Sequence, residues 1–190
     1  MGVLGVLGCV AIGSALRGGA RASIPAPKST GGGGGRSPDE RRAAAVSAAR
    51  LELERVNAPD GPRADPADYW DVAAEHSLTA AELKTLDWCG GFYLWALKVG
   101  GVAPARVFWR FDGTGIGSAR LRLTTNPKPA DLAYFTKNQH HALVEAVEDD
   151  VVHLINGNGG GKGITRSSVH RSDVAGFYSV DPLLSGGLAA

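Results

Sequence analysis

Asp87-Trp88-Cys89-Gly90-Gly91-Phe92-Tyr93-Leu94-Trp95-Ala96-Leu97 reads as a helix that is apolar on nearly every side and carries a thiol in its first turn. A helix of that composition belongs inside a core, so other elements must pack around it. Gly100-Gly101 stops it at about Val99. A thiol at a helix N-terminus sits where the partial positive charge of the helix favours the thiolate. Free cysteine titrates near about 8.5, and that charge together with a neighbouring imidazolium can bring the value below neutrality. The plainer reading of a lone helical cysteine is a small buried hydrophobe. Which of the two applies depends on what the rest of the chain supplies.

Upstream, Ser37-Pro38-Asp39-Glu40 is helix-start chemistry, and Arg41 to Val56 repeats Ala45, Val46, Ala49, Leu53 and Val56 on one helical face. The Pro- and Gly-containing stretch from Asn57 to Pro66 breaks this helix, and Tyr69-Trp70 opens a short helix or irregular segment. Thr79 caps a further short helix through Leu86. Downstream the period changes. Ala105 to Phe111 and Ala119 to Leu123 are short strands or irregular pieces. Leu132 to Phe135, His141 to Val147, Val151 to Ile155 and Gly176 to Val180 read as strands. Glu148-Asp149-Asp150 turns one strand back on the next, and Gly157 to Gly163 is a glycine-rich turn after it. Helices followed by an antiparallel sheet make the segregated α+β class.

A chain of 190 residues with 44% hydrophobic content holds one domain with tails. Twenty basic against nineteen acidic side chains give a net charge of +1, which leaves no electrostatic footprint for nucleic acid. The cysteines, Cys9 and Cys89, lie in segments of different character and are expected as free thiols. Residues 1–16 form an apolar, Gly-rich segment, short for a membrane span of about 20 residues and without the basic start of a secretory signal. Residues 17–38, with five consecutive glycines, cannot bury enough apolar surface to fold and read as a disordered linker. The domain is therefore expected over residues 39–182, with 183–190 as a flexible tail.

A cysteine nucleophile needs a base within about 3 Å and a third polar group to orient that base; both normally come from distant sequence. His141, at the start of a strand, is the natural base. One strand on, Asn156 and Asn158 project to the same side by alternation, and either can hold an imidazole N–H. Taken alone, Asn156-Gly157-Asn158-Gly159 is also ordinary turn chemistry. Asp87 reads as a helix cap, and Trp88 and Tyr134 are candidates to line a substrate groove. The histidines have no zinc-ligand spacing, and no cofactor is expected.

These pieces together carry a resemblance. Asp87-Trp88-Cys89-Gly90-Gly91-Phe92, then Pro129-Ala130-Asp131-Leu132-Ala133-Tyr134-Phe135, then His141-Ala142-Leu143-Val144, then Ile155-Asn156-Gly157-Asn158 resemble the CHAP family of cysteine, histidine-dependent amidohydrolases/peptidases in order and approximate spacing, across about Arg41 to Val180. That family runs W-C-a-x-F, P-G-D-l-v-x-F, H-v-g-I-v and E-G-N or G-G-N.

The resemblance implies a papain-like fold, with N-terminal helices packed on a small antiparallel sheet. It implies cleavage of an amide bond in bacterial peptidoglycan, between glycan and stem peptide or within the peptide and its cross-bridge. It assigns Cys89 as nucleophile, His141 as base and then acid, and Asn156 as the orienting residue with Asn158 beside it. Ala130 stands where the family has glycine, a departure expected to matter little, and Asn156 stands where it has glutamate. In the related NlpC-like peptidases a histidine is the third residue, which makes His153 the alternative. The site of action would lie outside the cytoplasmic membrane, reached by secretion, injection or as part of a virion. The N-terminal segment is compatible with contact to a membrane or to a larger phage or secretion assembly. An inactive wall-binding or structural module and a cysteine hydrolase of another amide are the competing readings.

Overall fold

Ser37 starts the first helix by a reciprocal cap: its Oγ accepts from the Glu40 N–H at 3.3 Å, and the Glu40 carboxylate accepts from the Ser37 N–H at 2.6 Å. Helix α1 then runs Pro38–Asn57. The computed structural model describes residues 35–73, 79, 81, 87–102, 121–160 and 163–185. Helices α2 (Pro66–Ala73) and α3 (Cys89–Val99) follow. Next come strands β1 (Arg122–Thr124), β2 (Leu132–Phe135), β3 (His140–Glu148), β4 (Val151–Gly159), β5 (Gly163–His170) and β6 (Gly176–Ser179), then a last turn of helix, α4 (Asp181–Ser185). The expected segment 1–16, most of the linker, Cys9, most of the helix from Thr79 to Leu86 and the strand from Ala105 to Phe111 lie outside the described residues.

Among the described residues the strands form one antiparallel sheet in the order β1-β6-β2-β3-β4-β5. The chain is thus α+β, as expected. The hairpin of β3 and β4 turns at Asp149, whose φ of 51° puts it in the left-handed region that Asp tolerates. Strand β5 follows the turn expected to end at Gly163, in a stretch where the sequence pattern marks no element. It is the edge strand and mostly exposed, so its Thr-Arg-Ser-Ser run lacks the apolar alternation that marks the buried strands. β4 correspondingly runs on to Gly159.

Helices α1 and α3 lie on one face of the sheet. Ala45, Ala49 and Leu53 of α1 and Phe92, Tyr93, Leu94, Trp95 and Leu97 of α3 share a core with Leu132, Leu143, Ile155 and Ile164. α3 is buried from Cys89 through Leu97, as its composition requires. The opposite face carries Ala133, Ala142, Val144, Val152 and Leu154 with Val174 and Phe177. The two faces alternate along β3, which decides where its two histidines point.

Arg42 ties α1 to the sheet from inside. Its guanidinium donates to Asp131 at 2.8 Å, to Asp181 at 2.6 Å and to the Pro129 carbonyl at 2.6 Å. Asp131, fully buried, also accepts from the Lys128 and Val180 N–H groups at 2.8 and 3.1 Å. Both its oxygens accept hydrogen bonds and one faces a guanidinium, which is the condition for a buried charge to be tolerated. Arg41 donates to the Leu184 carbonyl at 2.7 Å, and Leu183 and Leu184 are buried. Residues 183–185, expected in a flexible tail, are helical instead, because two leucines enter the core.

Ala130, just before Asp131, has φ 71° and is fully buried. An alanine in the left-handed region costs about 1–2 kcal/mol that glycine would not. The replacement of the resembled family's glycine by Ala130 is thus a backbone cost, not the neutral change expected from sequence.

Candidate active site

Cys89 is the first residue of α3, with Trp88 at the N-cap position and the Phe92 N–H bonded to the Trp88 carbonyl at 2.9 Å. Alternation along β3 sends Leu143 into the α3 side of the core and Ala142 and Val144 into the other. His141 shares the Leu143 side, and its Nδ1 lies 3.5 Å from Cys89 Sγ. The sheet and the helix thereby join two residues 52 positions apart in sequence. That is hydrogen-bonding distance for sulfur and the geometry a thiol nucleophile needs from its base.

Both groups are buried, Cys89 4% and His141 3% exposed. Burial is the largest influence on the thiol and pushes it above the ordinary cysteine range; the Asp87 carboxylate pushes the same way, while backbone N–H groups of His141, Gly90 and Cys89 itself pull it down. Burial therefore favours the thiol form over the thiolate in the free protein. Desolvation outweighs the N–H groups at the helix start that favour the thiolate.

The structure does not bring Asn156 to His141. Asn156 pairs with Ala142 across β3 and β4, so it faces the side opposite Cys89. Its Oδ1 lies 3.0 Å from Nε2 of His140, and its Nδ2 donates to Ser167 Oγ at 3.0 Å and the Thr165 carbonyl at 3.2 Å. Asn156 thus serves the neighbouring histidine. His153 lies toward the far end of β4, with Nδ1 2.8 Å from Ser168 Oγ and Nε2 3.4 Å from Glu148.

Nor do Asn156 and Asn158 share a side. The β4–β5 register shifts between Asn156 and Gly159, and Asn158 has φ 57°, so alternation breaks at this point. The Asn158 amide swings to the α3 side and donates to Asp87 Oδ1 at 3.1 Å. Between the two asparagines, Gly157 lets β4 press on α3: a Cβ there would stand 2.4 Å from Cβ of Phe92. The third place of a triad is accordingly not filled from β4 by any of the three residues that the sequence offered.

Trp88 is 6% exposed and stacks on Tyr69 with ring centroids 5.2 Å apart, in a cluster with Phe92 and Trp95. It is core, and does not line a groove. The Tyr69 hydroxyl donates to Glu52 at 2.7 Å, and burial holds it well above the usual phenol range. Tyr134 is half-buried and lies directly across the β2–β3 ladder from His141, with the rings 5.1 Å apart and tilted by 40°. Sequence pointed to Tyr134 only as a groove residue; its cross-strand contact with the imidazole depends on register, which no single motif encodes.

Among the described residues no three His, Cys, Asp or Glu side chains gather as a metal site would, and no helix is long and apolar enough to cross a membrane. Cys89 is a free thiol. Compared with models of known protein families, with curated proteins and with solved structures, the chain matches none of them.

Proposed function

We propose that the protein is a cysteine amidohydrolase/peptidase of papain-like type that cleaves an amide bond in bacterial peptidoglycan. The observation that carries the proposal is the 3.5 Å approach of His141 Nδ1 to Cys89 Sγ at the start of a buried helix. The motif resemblance names the substrate class; the geometry supports the chemistry. His141 takes the thiol proton as Sγ attacks the amide carbonyl carbon. The carbonyl oxygen becomes an oxyanion, which the Cys89 N–H and the N-terminus of α3 stabilise. Collapse breaks the C–N bond, the imidazolium delivers its proton to the leaving amine, and a thioester remains. Water, deprotonated by His141, hydrolyses the thioester and restores the thiol.

Because both groups are buried in the free protein, productive binding must open a path to Sγ. The substrate would be met outside the cytoplasmic membrane, in the periplasm or wall. Digestion of purified peptidoglycan with fragments identified by mass tests the reading and names the bond. An amidase frees whole stem peptides from glycan, while an endopeptidase leaves cuts within the peptide or cross-bridge. A second reading, a wall-binding module without activity, draws on the burial of the dyad, which disfavours the thiolate. Binding to walls with no new amine released would favour it. A hydrolase of a different amide would leave walls intact and cleave other amide conjugates in a substrate panel.

A further inference from the structure

Asn158 occupies a backbone conformation that asparagine tolerates and few other side chains do, φ 57°, inside the irregularity at the end of β4. Such irregularities re-aim side chains, and strained positions persist where the surroundings enforce them. Here the re-aimed group is the carboxamide that donates to Asp87 at 3.1 Å, and the close approach of Gly157 to Phe92 is what delivers it. Asp87 immediately precedes the N-cap residue of α3. The capping position itself belongs to Trp88, whose indole cannot accept a hydrogen bond, so the first turn of α3 has no side-chain cap, and Asp87 one residue earlier is a carboxylate in the same segment.

We propose that Asn158 is a positioning residue that holds the Asp87 carboxylate off the first turn of α3, keeping the backbone N–H groups there for the Cys89 thiolate and the reaction's oxyanion. The inference rests on the reading of Cys89 as nucleophile, and it gives Asn158 a role through Asp87, not through His141. Released from Asn158, the carboxylate would compete for those N–H groups and bring negative charge nearer to sulfur. Both effects disfavour the thiolate. Among the described residues, the titratable groups facing Cys89 are Asp87 in its own segment and His141 of β3. Helix α2 presents Tyr69 to Trp88, with its hydroxyl committed to Glu52, and β4 presents Asn158, which does not titrate.

The test is alkylation by iodoacetamide of the full-length protein, read at Cys89 by peptide mapping because Cys9 is a second thiol. Rates are followed from about pH 6 to about pH 10, spanning the ordinary thiol range. Asn158→Gly keeps the left-handed backbone free of cost and removes only the amide. It is expected to move the Cys89 inflection up by roughly half a pH unit, about a threefold loss of reactivity at neutral pH. Adding Asp87→Asn in that background should restore the wild-type rate or exceed it. An Asn158→Gly profile equal to wild type would overturn the proposal. So would a slowed Asn158→Gly that Asp87→Asn fails to rescue, since that marks a bracing role for the turn alone. None of these readouts uses peptidoglycan, so an error about the substrate leaves them unaffected.

Discussion

His140 and His141 are neighbours in sequence and serve opposite faces of one sheet: His141 Nδ1 lies 3.5 Å from Cys89 Sγ, while His140 Nε2 lies 3.0 Å from Asn156 Oδ1. The alternation of β3 makes one imidazole part of a reactive pair and the other part of a polar cluster with Asn156, Thr165 and Ser167. It therefore separates two roles that the motif resemblance joins.

That separation gives the first prediction. Asn156→Ala removes a half-buried set of hydrogen bonds on the far face and should cost about 1–2 kcal/mol of stability by denaturant unfolding. Measured under folding conditions, its rate of Cys89 alkylation should equal wild type. A loss of Cys89 reactivity in a folded Asn156→Ala protein would return Asn156 to the catalytic group.

Asp131 belongs to the motif that precedes β2, yet its contacts are all structural. Asp131→Asn leaves Arg42 with a weakened buried partner and should destabilise by about 3 kcal/mol, as breaking a buried pair does. Urea denaturation measures it. A cost within about 0.5 kcal/mol would mean that Asp181 alone suffices for Arg42.

Ala130 offers a gain. Replacing it by glycine removes the left-handed penalty and loosens the unfolded chain, for a net stabilisation of about 0.5–1 kcal/mol. A rise in Tm with unaltered Cys89 alkylation is the expected result; a fall would show that core packing of the alanine methyl outweighs the backbone cost.

Acid should unfold the protein by a predictable route. Burial alone would raise Glu145, but Arg166 and Arg50 hold it below the ordinary glutamate range, and Arg42 chiefly holds Asp181 below that of aspartate. Groups lowered in the folded state add stability above their unfolded values and lose it as the pH falls through the folded ones. Tm should therefore be level near neutrality and decline below about pH 4.5. Glu145→Gln should flatten part of that decline.

Much of this was legible in the sequence, and what was not has physical reasons. The α3 helix, its stop at Gly100, the β3–β4 hairpin and the pairing of Cys89 with His141 follow from local pattern and from the order of the motifs. β5 was missed because an exposed edge strand carries no apolar alternation. The misassignment of Asn156 and Asn158 has a different cause. Asn156 faces away from Cys89 because it pairs in register with Ala142, a register that no motif encodes, while Asn158 lies within an irregularity that breaks the alternation and brings it to Asp87. Trp88 looked like a groove residue because its ring partner, Tyr69, lies across a break in the chain that the sequence does not fold for the reader.

Cys89, with His141 as its base, is proposed to cleave an amide of peptidoglycan. Purified walls are digested with the wild-type chain, Cys89→Ala and His141→Ala, each first shown by circular dichroism to be folded, and the soluble fragments are identified by mass. Fragments with new amino termini are expected from wild type and none from either variant. Release of the same fragments by Cys89→Ala at the wild-type rate would contradict the proposal.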